Sequence, residues 1–105
     1  MKSNLIIIHG INSKEKNYQK IKDSLSDKYK IFYYNYDWKL SLKKVVDDLI
    51  KFIDKNKIKE ADFITYSFGS VVFAVFSISK NCKIGRVVQI APINNGSVVL
   101  DFFNR

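Results

Sequence analysis

One serine lies where a predicted strand gives way to a predicted helix. From Ala61 to Ser70 the chain runs as a short apolar strand that stops at Ser67, and an apolar helical segment, Val71 to Ile78, follows. A serine at such a junction sits on a sharp turn with its hydroxyl raised above the edge of the sheet. There it faces the N-terminal end of the helix, which favours negative charge. The pattern indicates a hydroxyl that is placed to act as a nucleophile.

The spacing around Ser67 matches most of the nucleophile-elbow pattern, G-x-S-x-G. Gly69 fills the second glycine position, whereas Thr65 stands where the first glycine is expected. That position packs where strand and helix come closest, so the β-branched Thr65 adds bulk where a small side chain fits best. On these residues alone, a serine that merely caps a helix after a strand is the simpler interpretation.

Two further segments combine a buried strand with a distinctive turn. The β-branched run Asn4–Ile8 suits a strand buried on both faces, and the turn HGINS, residues His9–Ser13, follows it. Arg86–Ala91 predicts another buried strand, and the segment PINNGS, residues Pro92–Ser97, comes next. Each segment therefore predicts a strand whose carboxyl end opens into a structured turn.

In this order and spacing, the three motifs resemble the α/β-hydrolase superfamily, in particular its serine esterases and lipases. The resemblance extends from Leu5 to about Asp101. It implies a truncated form of the three-layer α/β/α fold, with a short, mainly parallel sheet of about four strands in the order 2-1-3-4. The implied reaction is hydrolysis of a small-molecule ester or other acyl substrate, with no metal and no organic cofactor.

The same resemblance implies roles for individual residues. Ser67 would be the nucleophile, and the backbone N–H groups of Phe68 and of Ile11, or alternatively Gly10, would form the oxyanion hole. The structure of the loop and of the elbow would depend on His9, Thr65 and Gly69.

Hydrophobic periodicity predicts strands and helices in alternation, which implies a parallel sheet with helices on both faces. A second strand is predicted over Lys30–Asp37. Four helices are predicted. The first has an apolar stripe of Tyr18, Ile21 and Leu25, and the second extends over Leu42–Ile53 with Ser41 as its N-cap. The third extends over Phe68–Ser79, and a short fourth begins near Ser97. With 105 residues and 47% hydrophobic content, we expect a single domain, residues 1–105.

Composition argues against several other classes of function. The net charge of +8 comes mainly from lysines that are scattered as on solvated helix faces, so no nucleic-acid partner is expected. The aromatic residues Phe32, Tyr33, Tyr34 and Tyr36 fall in a strand pattern and are expected to pack in the core. No apolar stretch is long enough to span a membrane, and the single cysteine, Cys82, favours a cytoplasmic location.

The triad acid and base of α/β-hydrolases follow the nucleophile in sequence. Here the 38 residues after Ser67 contain no histidine, and Asp101 is their only acid. The chain thus resembles the N-terminal half of such an enzyme. Three explanations stay open: a truncated gene product, an inactive remnant with a binding role, or the use of His9 as a substitute base. In the family, the histidine of the His-Gly turn usually has a structural part.

The alternative function is a non-catalytic binding domain, hydrolase-derived or flavodoxin-like. A domain without its second half would also leave the strand Arg86–Ala91 at an open edge of the sheet. Unpaired N–H and C=O groups at such an edge favour pairing with another chain. The sequence therefore predicts self-association, or pairing with a complementary chain, through this strand.

Overall fold

The computed structural model describes residues 2–10, 18–79 and 81–90, which form an α/β unit. Its strands are β1 (Ser3–Ile8), β2 (Tyr29–Tyr34), β3 (Glu60–Tyr66) and β4 (Lys83–Ile90), and its helices are α1 (Gln19–Leu25), α2 (Leu42–Lys55) and α3 (Phe68–Ser77). The strands form one sheet in the order β2-β1-β3-β4, and every neighbouring pair is parallel. The predicted α/β class and strand order are confirmed.

The central strand β1 separates two apolar layers, because successive residues of a strand point to opposite faces of the sheet. Ile6 and Ile8 pack in the larger core, together with residues of α2 and α3. Leu5 and Ile7 pack in a smaller core with residues of α1. All four side chains are buried, which explains why this strand is an uninterrupted apolar run.

Two elements, the second strand and the third helix, end earlier in the structure than the sequence predicted. The second strand ends at Tyr34 rather than at Asp37, because the backbone N–H of Tyr36 donates to the His9 ring and leaves the sheet ladder. The third helix ends at Ser77 rather than at Ser79. The predicted N-cap of α2 is confirmed, since Ser41 Oγ accepts the Lys44 N–H at 3.2 Å.

The last strand begins earlier than predicted, at Lys83 rather than at Arg86. Its register against β3 shifts between Ala61 and Phe63, so Gly85 and Arg86 both lie opposite Asp62. The Asp62 carboxylate accepts the Arg86 N–H at 2.8 Å and so replaces the missing backbone partner. A side chain on Gly85 would collide with that carboxylate. The glycine that seemed to precede the strand is therefore part of it.

Some expected features lie outside the described residues, namely Ala91 at the end of the last strand and the short helix from near Ser97. The predicted core role of the strand aromatics holds for Tyr34 and Tyr36, which are buried. Phe32 and Tyr33 are half-buried and pack against the larger and the smaller core, respectively. Within the described ranges, none of the helices has the length and apolar character needed to cross a membrane.

Candidate active site

Ser67 is the single residue between β3 and α3, and its backbone has a conformation that residues with side chains rarely adopt. Its φ is 49° and its ψ is −118°, close to the conformation that glycine supplies in type II′ turns. Holding a side chain there costs about 1–3 kcal/mol. The residue is exposed, so backbone strain and an accessible hydroxyl occur together.

Lys57, with φ 56°, is the other non-glycine residue with positive φ in the described ranges, but its conformation has an ordinary cause. It follows Asn56, the residue that caps the end of α2. The N–H groups of Lys57 and Ile58 donate to the carbonyl oxygens of Asp54 and Ile53, each at 3.1 Å. This pattern ends many helices. Ser67 precedes a helix instead, so helix termination does not account for its strain.

Three hydrogen bonds hold the turn at Ser67. The Ser67 N–H donates to the Ile90 carbonyl oxygen at 3.0 Å, and the Ser70 N–H donates to the Ser67 carbonyl oxygen at 2.9 Å. The hydroxyls of Thr65 and Ser70 form the third bond at 2.8 Å. Thr65 therefore fits where a smaller residue was expected, because its hydroxyl is paired although the side chain is buried.

Gly69 brings the first turn of α3 against the end of β1. A Cβ atom at this position would lie 2.5 Å from the Ile8 carbonyl oxygen and 2.6 Å from the His9 carbonyl oxygen. Both distances are too short for any side chain, so a glycine is required by the close approach. The His9–Gly10 loop and the turn at Ser67 are therefore packed directly together through Gly69.

His9 is buried, and both of its ring nitrogens have partners. Nδ1 donates to the Gly10 carbonyl oxygen, and Nε2 accepts the Tyr36 N–H at 3.1 Å. Because a carbonyl only accepts and an N–H only donates, these partners select one neutral tautomer with the proton on Nδ1. Burial lowers the pKa of His9, and the hydrogen bonds to Gly10 and Tyr36 oppose that effect to a lesser degree.

These contacts bear on the two roles that the sequence left open for His9. A general base needs a free nitrogen directed at the serine hydroxyl. Neither nitrogen of His9 is free, and the ring is stacked on Tyr36 with centroids 4.1 Å apart. The geometry therefore favours the structural role, in which His9 shapes the loop that follows β1.

Two residues of this region, Tyr36 and Ser70, were not predicted as site residues. Ser70 pairs with Thr65, as described above. The Tyr36 hydroxyl donates to the His9 carbonyl oxygen at 2.7 Å, and its ring also lies near the Phe68 ring, with centroids 6.4 Å apart. Tyr36 appeared to be one of several strand aromatics, and no local pattern distinguishes it from Tyr34. Only its position beyond the end of β2 directs it towards His9.

The structure brings six of the seven predicted site residues, His9 among them, into one region at the carboxyl end of the sheet. Phe68 begins α3 directly after Ser67, and Gly69 contacts the backbone beside Gly10. Thr65 is the residue of β3 that pairs with Ile8 of β1. Ile11, the expected second donor of the oxyanion hole, lies outside the described residues. Those residues contain no cluster of His, Cys, Asp or Glu that could hold a metal ion.

No family model and no curated protein matches this sequence. Solved structures do resemble it. One, from work on carboxylesterases of the thaumarchaeon Nitrososphaera gargenis, has a TM-score of 0.75 at 16% identity and aligns with 87% of this chain. A marine microorganism esterase has a TM-score of 0.72 at 20% identity over 85%. An N-formylmaleamic acid deformylase from Pseudomonas putida has 0.66 at 15% identity over 89%.

The chain spans only part of these solved structures, namely 38%, 37% and 40% of their lengths. The aligned region is the N-terminal part of the neighbours, which are α/β-hydrolase-type proteins. At such low identity the likeness concerns the fold alone. The resemblance seen in the sequence is thereby confirmed at that level: the chain has an α/β fold of the α/β-hydrolase type.

Proposed function

We propose that residues 1–105 form one α/β-hydrolase-like domain that carries the nucleophile and oxyanion hole of a serine hydrolase. Its substrate class would be carboxylic esters or related acyl compounds. The observation that carries this proposal is the exposed Ser67 in a strained conformation at the start of α3. Strain of this kind persists only where the surroundings enforce it, and it is concentrated at functional sites. The esterase-like fold neighbours support the same class of chemistry.

In the proposed reaction, Ser67 Oγ attacks the carbonyl carbon of the substrate and its proton passes to a general base. The carbonyl electron pair moves to the oxygen, which becomes an oxyanion. Two backbone N–H groups would stabilise that charge, one from Phe68 and one from the loop after β1, at Gly10 or Ile11. Phe68 is the first residue of α3, so its N–H lacks a partner within the helix and remains available for an anion.

The general base is the element that the described geometry does not supply. Both nitrogens of His9 are already bonded, and the sequence contains no other histidine. We therefore expect the 105-residue chain to react with strongly activated reagents and to turn over ordinary esters slowly. Catalysis by an oxyanion hole alone reaches about 10³–10⁴-fold over water in damaged triad enzymes.

Labelling with a fluorophosphonate probe tests the proposal, because the probe is itself strongly activated and forms a covalent bond to a serine hydroxyl held beside oxyanion donors. We expect intact-mass and peptide spectra to show one adduct on Ser67. Ser67→Ala should abolish labelling, whereas Ser24→Ala, which alters an exposed serine of α1, should leave it unchanged. Absence of labelling, or labelling that survives Ser67→Ala, would exclude the proposed nucleophile and favour a non-catalytic binding domain.

A further inference from the structure

We infer that Tyr36 is a positioning residue that orients the backbone donors of the oxyanion hole through His9. This inference rests on the proposed function of Ser67. It gives Tyr36 a role that the sequence did not predict, since there Tyr36 was one of several aromatic residues in a strand pattern. Tyr36 acts on the loop through the hydrogen bonds that the loop's two carbonyl oxygens accept.

The first peptide plane is the one between His9 and Gly10. Its carbonyl oxygen, on His9, accepts the Tyr36 hydroxyl at 2.7 Å, and Gly69 lies against the same oxygen. In a planar trans peptide, the C=O and the N–H of the next residue point in opposite directions. Tyr36 therefore sets the direction of the Gly10 N–H, which is one of the two candidate loop donors.

The second peptide plane begins at the Gly10 carbonyl, which accepts the His9 Nδ1–H. Its direction depends on the orientation of the His9 ring. Tyr36 controls that orientation twice, because its N–H donates to Nε2 and its ring stacks on the imidazole at an interplanar angle of 18°. Tyr36 therefore restrains both carbonyl groups of the loop, that of His9 directly and that of Gly10 through the imidazole.

Tyr36 also contacts the other half of the proposed oxyanion hole. Its ring packs near that of Phe68, the residue whose N–H would be the second donor. Burial raises the pKa of Tyr36 to about 12, so its hydroxyl keeps its proton and acts as a donor at neutral pH. One side chain, held after the end of β2, thus connects the loop after β1 with the start of α3.

The test compares Tyr36→Phe with a matched control, Tyr34→Phe, in the full chain. Each change removes one buried hydroxyl that donates to a backbone carbonyl at 2.7 Å, of His9 in one case and of Val45 in the other. Both variants keep the ring and should lose similar stability in urea denaturation. We expect only Tyr36→Phe to slow fluorophosphonate labelling of Ser67, by about 10-fold, since a displaced oxyanion donor costs less than a deleted one.

A second measurement does not require labelling. In amide NMR spectra, Tyr36→Phe should shift the Gly10 resonance and speed its hydrogen exchange, whereas Tyr34→Phe should leave Gly10 unchanged. Equal labelling rates in both variants, or an unaffected Gly10 amide, would overturn the positioning role. If wild-type Ser67 is never labelled, the serine hydrolase proposal fails and the catalytic meaning of this inference fails with it. The Gly10 amide would then report a structural contact only.

Discussion

The side-chain hydroxyls of Thr65 and Ser70 lie 2.8 Å apart, one on each side of the turn that carries Ser67. Both side chains are buried, with 0% and 4% of their surface exposed. The bond therefore joins the end of β3 to the first turn of α3 without competition from solvent. It also gives a β-branched residue a stable place beside the closest approach of strand and helix.

Removing both partners of this pair should cost less than the two single removals added together. Thr65→Val keeps the shape of the side chain but leaves the Ser70 hydroxyl without this partner, which should lower the free energy of unfolding by about 1–3 kcal/mol. The double variant Thr65→Val, Ser70→Ala should lose less than the sum of the single changes. Urea denaturation of the four proteins measures the coupling, and strictly additive losses would show that the bond contributes nothing.

Ser67→Gly should stabilise the protein while destroying the proposed site. Glycine adopts φ 49° and ψ −118° without strain, so the free energy of unfolding should rise by about 1 kcal/mol or more. Ser67→Ala keeps a Cβ atom and should bring no such gain. Lys57→Gly is a useful comparison, since that residue has positive φ at an ordinary helix end. A destabilised Ser67→Gly protein would contradict the assignment of strain.

Stability should depend on pH through His9, the only histidine in the chain. Burial lowers its pKa in the folded state, so between that value and the unfolded value of about 6.5 the unfolded chain binds more protons. The free energy of unfolding should therefore rise with pH across this window and level off above it. Denaturation of wild type and His9→Gln at several pH values isolates the effect. Identical pH profiles would refute it.

Two glycine substitutions should separate stability from chemistry. Gly69→Ala places a Cβ atom against two backbone oxygens and should destabilise the fold by about 1–3 kcal/mol or more. Gly85→Ala meets the Asp62 carboxylate instead, which must shift from its hydrogen bonds to Tyr29 and Arg86, so it should also destabilise the fold but by less. Gly69 contacts the His9 carbonyl, whereas Gly85 contacts Asp62, far along β3 from Ser67. Only Gly69→Ala should therefore also slow labelling of Ser67 at a temperature where both variants are folded. Equal labelling rates in the two variants would show that Gly69 does not affect the site.

The edge of the described sheet should promote association. β4 is the outer strand there, and the side chains of Val88 and Ile90 are 53% and 36% exposed. We predict concentration-dependent association by size-exclusion chromatography with light scattering. Val88→Lys should reduce it, because a charged side chain discourages edge pairing. Val71→Lys, at an exposed apolar position of α3, serves as the control. A stable monomer at all concentrations would reject the prediction.

Local patterns were sufficient to predict most of the fold. The alternation of apolar runs and helical stripes predicted the α/β class, because buried parallel strands and amphipathic helices have distinct periods. The strand order came from the family resemblance. The same patterns placed the ends of β2 and α3 later in the sequence than the structure does. They also missed the start of β4, where a side-chain carboxylate from another strand accepts a backbone N–H.

Local sequence specifies the strands and helices of this protein and the position of Ser67 between a strand and a helix, since apolar periodicity and turn residues act over short distances. The conformation of Ser67, the pairing of Thr65 with Ser70 and the contacts of Tyr36 with His9 depend instead on how the folded elements pack. These features depend on contacts between residues as far apart as His9 and Tyr36. Such contacts leave no local signal, because they are created when the carboxyl ends of β1, β2 and β3 are brought together by the sheet.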